Sequence, residues 1–181
     1  PSPILFRRKD DEIARFPLQN AGLALLWPFL PNYFHRLQLL EDDQFRNQDS
    51  ARRAVLLLQY IITGEPQAPE HQLLFNKLLC GLPPNTPLPN EIEIQTHEIH
   101  ETQALLEAIL QNWPPLRNSS IQELRSTFLQ RDAILVQRQD NWDLHVQPGP
   151  FDMLLEKIPW SYQIIMLKWL KLAIYVTWPI N

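Results

Sequence analysis

Cysteine is nearly missing from this chain: 181 residues contain one, Cys80. A lone thiol excludes an intrachain disulfide framework and fits synthesis in a reducing compartment. It stands in LLCGLPP, closing an apolar run, where a buried small hydrophobe is expected rather than a nucleophile. Glycine is scarce as well, four residues against seventeen prolines. The sequence offers no phosphate-cradling glycine loop, and its connections should be stiff and set by proline. Nor is positive charge in excess, since sixteen Lys and Arg face twenty Asp and Glu for a formal charge of −4. That balance supplies no footprint for nucleic acid or an anionic membrane, and neither is expected as a partner.

A long uncharged hydrophobic run is lacking too. The segment 158–178 carries Trp160 and Tyr162 at one end and Tyr175 and Trp178 at the other, as a membrane span would. Lys168 and Lys171 would then sit near its centre, at roughly 2.5–3.5 kcal/mol each, so no span is expected. The opening PSPILFRRKDDE has neither an initiator Met nor a signal-peptide layout and reads as the start of a piece of a longer polypeptide.

What is present is an ordinary globular mixture, 45% hydrophobic and 20% charged, enough for one core and short for two. Residues 1–17, charged and proline-flanked, read as a linker, and 18–181 as a single globular helical domain. The stretch Asn20 to Leu40 joins an aliphatic run to Trp27, Phe29, Tyr33 and Phe34 between Pro28 and Pro31, and is the expected core nucleus. Trp27 and Phe29 are expected to be buried against the next helix.

That helix runs from Ser50, as N-cap, to a stop at Gly64. A short helix follows around Leu74 to Leu79, then a long one from about Glu91 or Thr96 to Asn112, with Ile99, Leu105, Leu106, Ile109, Leu110 and Trp113 at three-and-four spacing. Ser119 or Ser120 caps another, bearing Phe128. From Ala133 the period turns to two, giving a hairpin around Gln139 to Asn141 and a candidate third strand over KLAIYVTW. The expected fold is mainly α, about six helices, with a small antiparallel β element near the C-terminus.

Chemistry-bearing clusters are few. His97, His100 and Glu101 in THEIHET fall at i, i+3 and i+4 and are the only candidates for a metal site, although HExxH and its general base are missing. A solvated helix start explains them better. Ser119 and Ser120 have no nucleophile elbow, His35 and His145 read as packed polar residues, and Asp42 with Asp43 as a solvated turn. No catalytic residue, cofactor or metal is expected.

Five stretches in order resemble one family: NAGLALLWPFLPNYF, RAVLLLQYIITG, LLFNKLLCGLP, WPPLRNSSIQELRSTFLQR and DMLLEKIPWSYQIIMLKWL. Together they are similar to the tape measure proteins of contractile injection systems, the phage-tail-like particles that eject a loaded tube. The resemblance implies a non-catalytic assembly protein that helps to set tail length, made in the cytoplasm and incorporated into a particle. It implies a terminal, C-terminal-type docking domain rather than the extended ruler, with tail tube, hub, spike or baseplate proteins, or copies of itself, as partners. The expected interaction residues are Trp27, Phe29, Tyr33, Phe34, Trp113, Phe128, Trp160, Trp169 and Trp178. Competing readings are a metal-dependent hydrolase or toxin-like cargo domain built on His97, His100 and Glu101, and a helix-binding chaperone or adaptor.

Overall fold

The computed structural model describes residues 11–180, so the first ten residues of the expected linker lie outside it. Most of the remainder of that segment belongs to a strand, β1 (Glu12–Leu18). It lies antiparallel to β4 (Ala133–Arg138), which pairs with β5 (Trp142–Val146) in the expected hairpin. β7 (Ile174–Thr177) then runs parallel to β5, and the short β6 (Ile164–Ile165) closes the far edge, for an order β1-β4-β5-β7-β6. A two-stranded ribbon, β2 (Leu40–Glu41) and β3 (Gln44–Phe45), replaces part of the expected polar turn.

The expected mainly α architecture is therefore corrected. Helix accounts for 44% and strand for 18%, and the five-stranded mixed sheet makes this an α/β fold rather than a helical domain with a terminal hairpin. The physical reason lies in long-range pairing. β1 finds its partner more than a hundred residues away, and Pro17 is tolerated on an edge strand whose outer N–H positions need no ladder partner. The parallel pairing of β5 with β7 needs a crossover that no local period announces.

One face of the sheet is apolar. Phe16, Leu135, Leu144 and Val176 lie opposite one another on successive strands, as do Leu18, Ala133 and Val146. Period two places these side chains on the face against which the helices pack.

The prolines of the opening stretch start helical segments rather than break one. α1 (Leu23–Leu26) passes into a 3-10 turn (Trp27–Phe29) and then α2 (Leu30–Arg36), with Pro28 and Pro31 each in a first turn where a missing N–H costs nothing. α3 (Gln48–Thr63) begins two residues before the expected cap: Asn47 accepts the Ser50 N–H at 2.8 Å. It ends as expected on left-handed Gly64, φ 72°. α4 (Leu74–Leu79), α5 (Thr96–Asn112) and α6 (Ile121–Leu124) follow, the last opened by a capping box of Ser120 with Glu123. α6 widens into a π turn (Arg125–Leu129) whose Arg125, together with Gln130, donates to the Ile61 and Ile62 carbonyls at 2.9 and 3.0 Å. These side chains satisfy the orphan acceptors at the C-terminus of α3. Burial holds the Arg125 guanidinium below its usual pKa.

Candidate interaction surface

The opening stretch is fixed at its first residue by amides. Asn20 donates to Asn76 Oδ1 at 2.6 Å and to Gln59 Oε1 at 3.1 Å, and Asn76 donates to the Val55 carbonyl at 3.1 Å. The network ties the start of α1 to α3 and α4 in a site closed to water, where a missing partner would leave a costly unsatisfied group. Next to it, Gly22 lies against the backbone of Leu129.

Of the aromatic residues expected to dock partners, Tyr33, Phe34, Trp113, Phe128 and Trp178 are buried, and Trp27, Phe29, Trp160 and Trp169 are half-buried. They form internal clusters. Phe34 meets Phe45 and Trp169 at centroid distances of 5.5 and 5.9 Å, and Trp113 meets Phe128 at 4.7 Å and Trp160 at 6.3 Å. Phe29 stands edge-on to Trp160 at 4.9 Å, a ring contact with the C-terminal segment that the expected seat against α3 did not include. Four indoles also act as staples. Trp113 donates to the Leu154 carbonyl, Trp160 to Leu25, Trp169 to Leu79 and Trp178 to the Asp152 carboxylate, all at 2.8–2.9 Å.

The last staple belongs to a desolvated ion pair. One terminal guanidinium nitrogen of Arg131, Nη1, lies 2.9 and 2.8 Å from the two Asp152 oxygens, and the other terminal nitrogen, Nη2, donates to the Thr127 carbonyl at 2.6 Å. The Gly149 N–H donates to Asp152 at 2.8 Å, and the Arg131 guanidinium carbon lies 5.2 Å from the Trp178 ring centroid. The clasp joins the π turn, the Pro-Gly-Pro turn and the C-terminal strand.

Of the titratable residues weighed for chemistry, Glu101 has a structural occupation, whereas His35 and His145, expected to be packed, are exposed. Glu101 accepts two hydrogen bonds from Arg36, at 2.7 and 3.1 Å, which hold its carboxyl below the ordinary range, while His97 and His100 are exposed. No group of three potential ligands gathers among the described residues. Burial pushes the Glu98 carboxyl up, but hydrogen bonds from Arg53 and from the Gln95 N–H more than offset it, and the net shift is down. Burial alone raises the Cys80 thiol well above its usual value, which keeps it protonated and unreactive. Lys77, inside α4, is matched by Glu70 and the Pro84 carbonyl.

Exposed apolar surface lies elsewhere. Phe151, Met153, Ile164, Met166, Leu172 and Tyr175 are all well exposed, the extreme being Met166 at 67%. FDMLLEKI reads as one short helix before Pro159, and Asp152–Lys157 is a short helix, of the 3-10 kind, in which Met153 is exposed and Asp152 buried. A groove of about 300 Å³ opens between the segment around α4 and residues 169–172; Leu74, Leu78, Pro83, Trp169 and Leu172 line it and Lys171 stands among them. Among the described residues no helix is long and apolar enough to cross a membrane. The segment 158–178 instead holds β6 and β7.

The model of one protein family, described as contractile injection system tape measure protein, matches residues 4–178. No curated protein and no solved structure matches the chain.

Proposed function

Since the chain belongs to the contractile injection system tape measure protein family, we propose that it is a non-catalytic assembly module that docks onto tail tube, hub, spike or baseplate components and contributes to the control of tail length. Membership places it in an injection particle, with tail components as partners. The docking role rests on one observation above all. Of the ten large hydrophobic side chains exposed among the described residues, six fall between Phe151 and Tyr175. Two of them, Ile164 and Tyr175, are cross-strand neighbours on β6 and β7, and exposed apolar side chains that adjoin in space are what a partner covers, whereas scattered exposure needs no explanation. The buried aromatics act one step removed, by holding that surface in a fixed pose.

The chain is made in the cytoplasm and joins the particle during assembly, and residues 18–181 act as one docking unit. The test is to delete the coding segment in a producing strain, then measure tail lengths by electron microscopy and probe purified particles of the parent for the chain. Shortened, heterogeneous or missing tails are expected. Absence of the chain from assembled particles, with tail length unaltered by its loss, refutes the reading.

A further inference from the structure

Two of the exposed residues, Phe151 and Met153, and the groove sit at opposite ends of the same strands. β5 and β7 are parallel. The groove lies at their N-terminal ends, where Trp142 opens β5 and Leu172 precedes β7. Phe151 and Met153 lie beyond their C-terminal ends, and the residue that follows β7, Trp178, donates to Asp152 between them. β5 alone separates the two features by about 13 Å at ~3.3 Å per residue.

Their chemistry matches. At three residues per turn, Met153 and Glu156 fall on one side of the 3-10 helix and the exposed Lys157 on another, so the face of the apolar knob that bears Met153 carries a carboxylate. Lys171 is the one charged residue lining the groove. Both charges are exposed, and neither enters an ion pair among the described residues. We infer that this surface is filled by a second copy of the chain: the Phe151–Met153 knob of one copy enters the groove of the next, with its Glu156 beside Lys171. The inference rests on the assembly reading above and names one partner for it. The contact is heterologous, because two different patches meet, so each copy keeps a free knob at one end and a free groove at the other and the array extends along the β5 direction. A single knob covers far less than the roughly 1,200 Å² of a stable interface, so association of the isolated chain is weak and appears only at high concentration.

Sedimentation velocity of the purified chain, up to about 1 mM, reads this directly. The expected result is a sedimentation coefficient that climbs with concentration beyond the dimer. Met153→Asp, at an exposed site, should remove the climb while the near-ultraviolet spectrum stays unchanged. Lys171→Glu and Glu156→Lys each place like charges at the contact and should weaken association about tenfold. Mixed together, the two variants present opposite charges at every contact between unlike copies and should recover much of the loss in an alternating array. A parent chain that stays monomeric throughout the range overturns the inference, as does association that Met153→Asp leaves intact or a mixture no better than its components. If the groove is instead occupied by a tail-tube segment, the parent is monomeric and the self-contact is refuted. The assembly reading fails by a different measurement, the absence of the chain from particles.

Discussion

Replacing Gly22 by alanine separates steric from conformational roles of glycine in this fold. The backbone at Gly22 is right-handed helical, φ −61° and ψ −15°, so alanine fits its dihedrals and would by chain entropy alone stabilise by about 0.4–1 kcal/mol. A Cβ there would, however, stand 2.2 Å from Leu129 Cα, 2.4 Å from the Phe128 carbonyl oxygen and 2.7 Å from that of Leu129. Carbon atoms at rest are about 3.5–4.0 Å apart, and all three obstacles are backbone, which no rotamer change can clear. Relief requires α1 to move from the π turn by over an ångström. That motion strains the hydrogen bonds from the Ala21 N–H to Arg131 and from the Gly22 N–H to Leu129, now 3.0 and 3.2 Å. Overpacking of this kind costs about 1–3 kcal/mol and each buried hydrogen bond left unmade a further 1–3, so a net loss of about 3–5 kcal/mol is expected. For a chain of this length the melting temperature should fall by roughly 6–20 °C. Gly81→Ala is the control. Its φ is +71°, but the nearest atom to an added Cβ is 3.7 Å away, so only the left-handed penalty of about 1–2 kcal/mol applies. Thermal and urea unfolding by circular dichroism measure both. A Gly22→Ala chain within about 1 kcal/mol of the parent, or less damaged than Gly81→Ala, would refute the reasoning.

Asp152→Asn leaves Arg131 buried without its counter-charge and should cost about 3–5 kcal/mol in urea unfolding, whereas Trp178→Phe, losing one hydrogen bond to a charged group, should cost about 1.5–3. Asp43 holds φ 62° at the tip of the β2–β3 ribbon, so Asp43→Gly should raise stability by about 0.5–1 kcal/mol in the same assay; its ion pair with Lys168 is exposed and contributes little. The carboxyl pKa values of Glu98 and Glu101 are depressed by Arg53 and Arg36, so their contribution is present above the unfolded-state value of about 4.3 and is lost as pH falls through the lower folded values. Stability followed from pH 6 to about pH 2 should therefore drop on the acid side, and Glu98→Gln should flatten that slope.

Local signals carried far into this structure. Gly64 ends α3 and Ser120 caps α6 because both act on the neighbouring turn, within reach of sequence reading. The hairpin of β4 and β5 was legible for the same reason, its strands being joined by a short turn. The places of β1 and β7 were not, since their partners are chosen by a shared apolar face assembled from distant segments. The aromatic residues illustrate a second limit. Abundance of tryptophan signals either a surface or an interior, and only the indole hydrogen bonds to Leu25, Leu79 and Leu154 place these rings as internal ties. Met153 escaped notice because three residues per turn, rather than 3.6, decides which way it points, and Phe151 because it stands just outside that helix as its N-cap.

The indole of Trp160 reaches back 135 residues to the carbonyl of Leu25, and β1 waits for β4. During synthesis at about 5–20 residues per second, the apolar surfaces of α1 and β1 therefore stand uncovered for several seconds after they leave the ribosome. The chain cannot complete its fold until its last fifth has been made. A holding factor that acts on the nascent chain, or tail components already waiting nearby, would have its strongest effect in that interval, and a truncation before Trp160 should aggregate rather than fold in part.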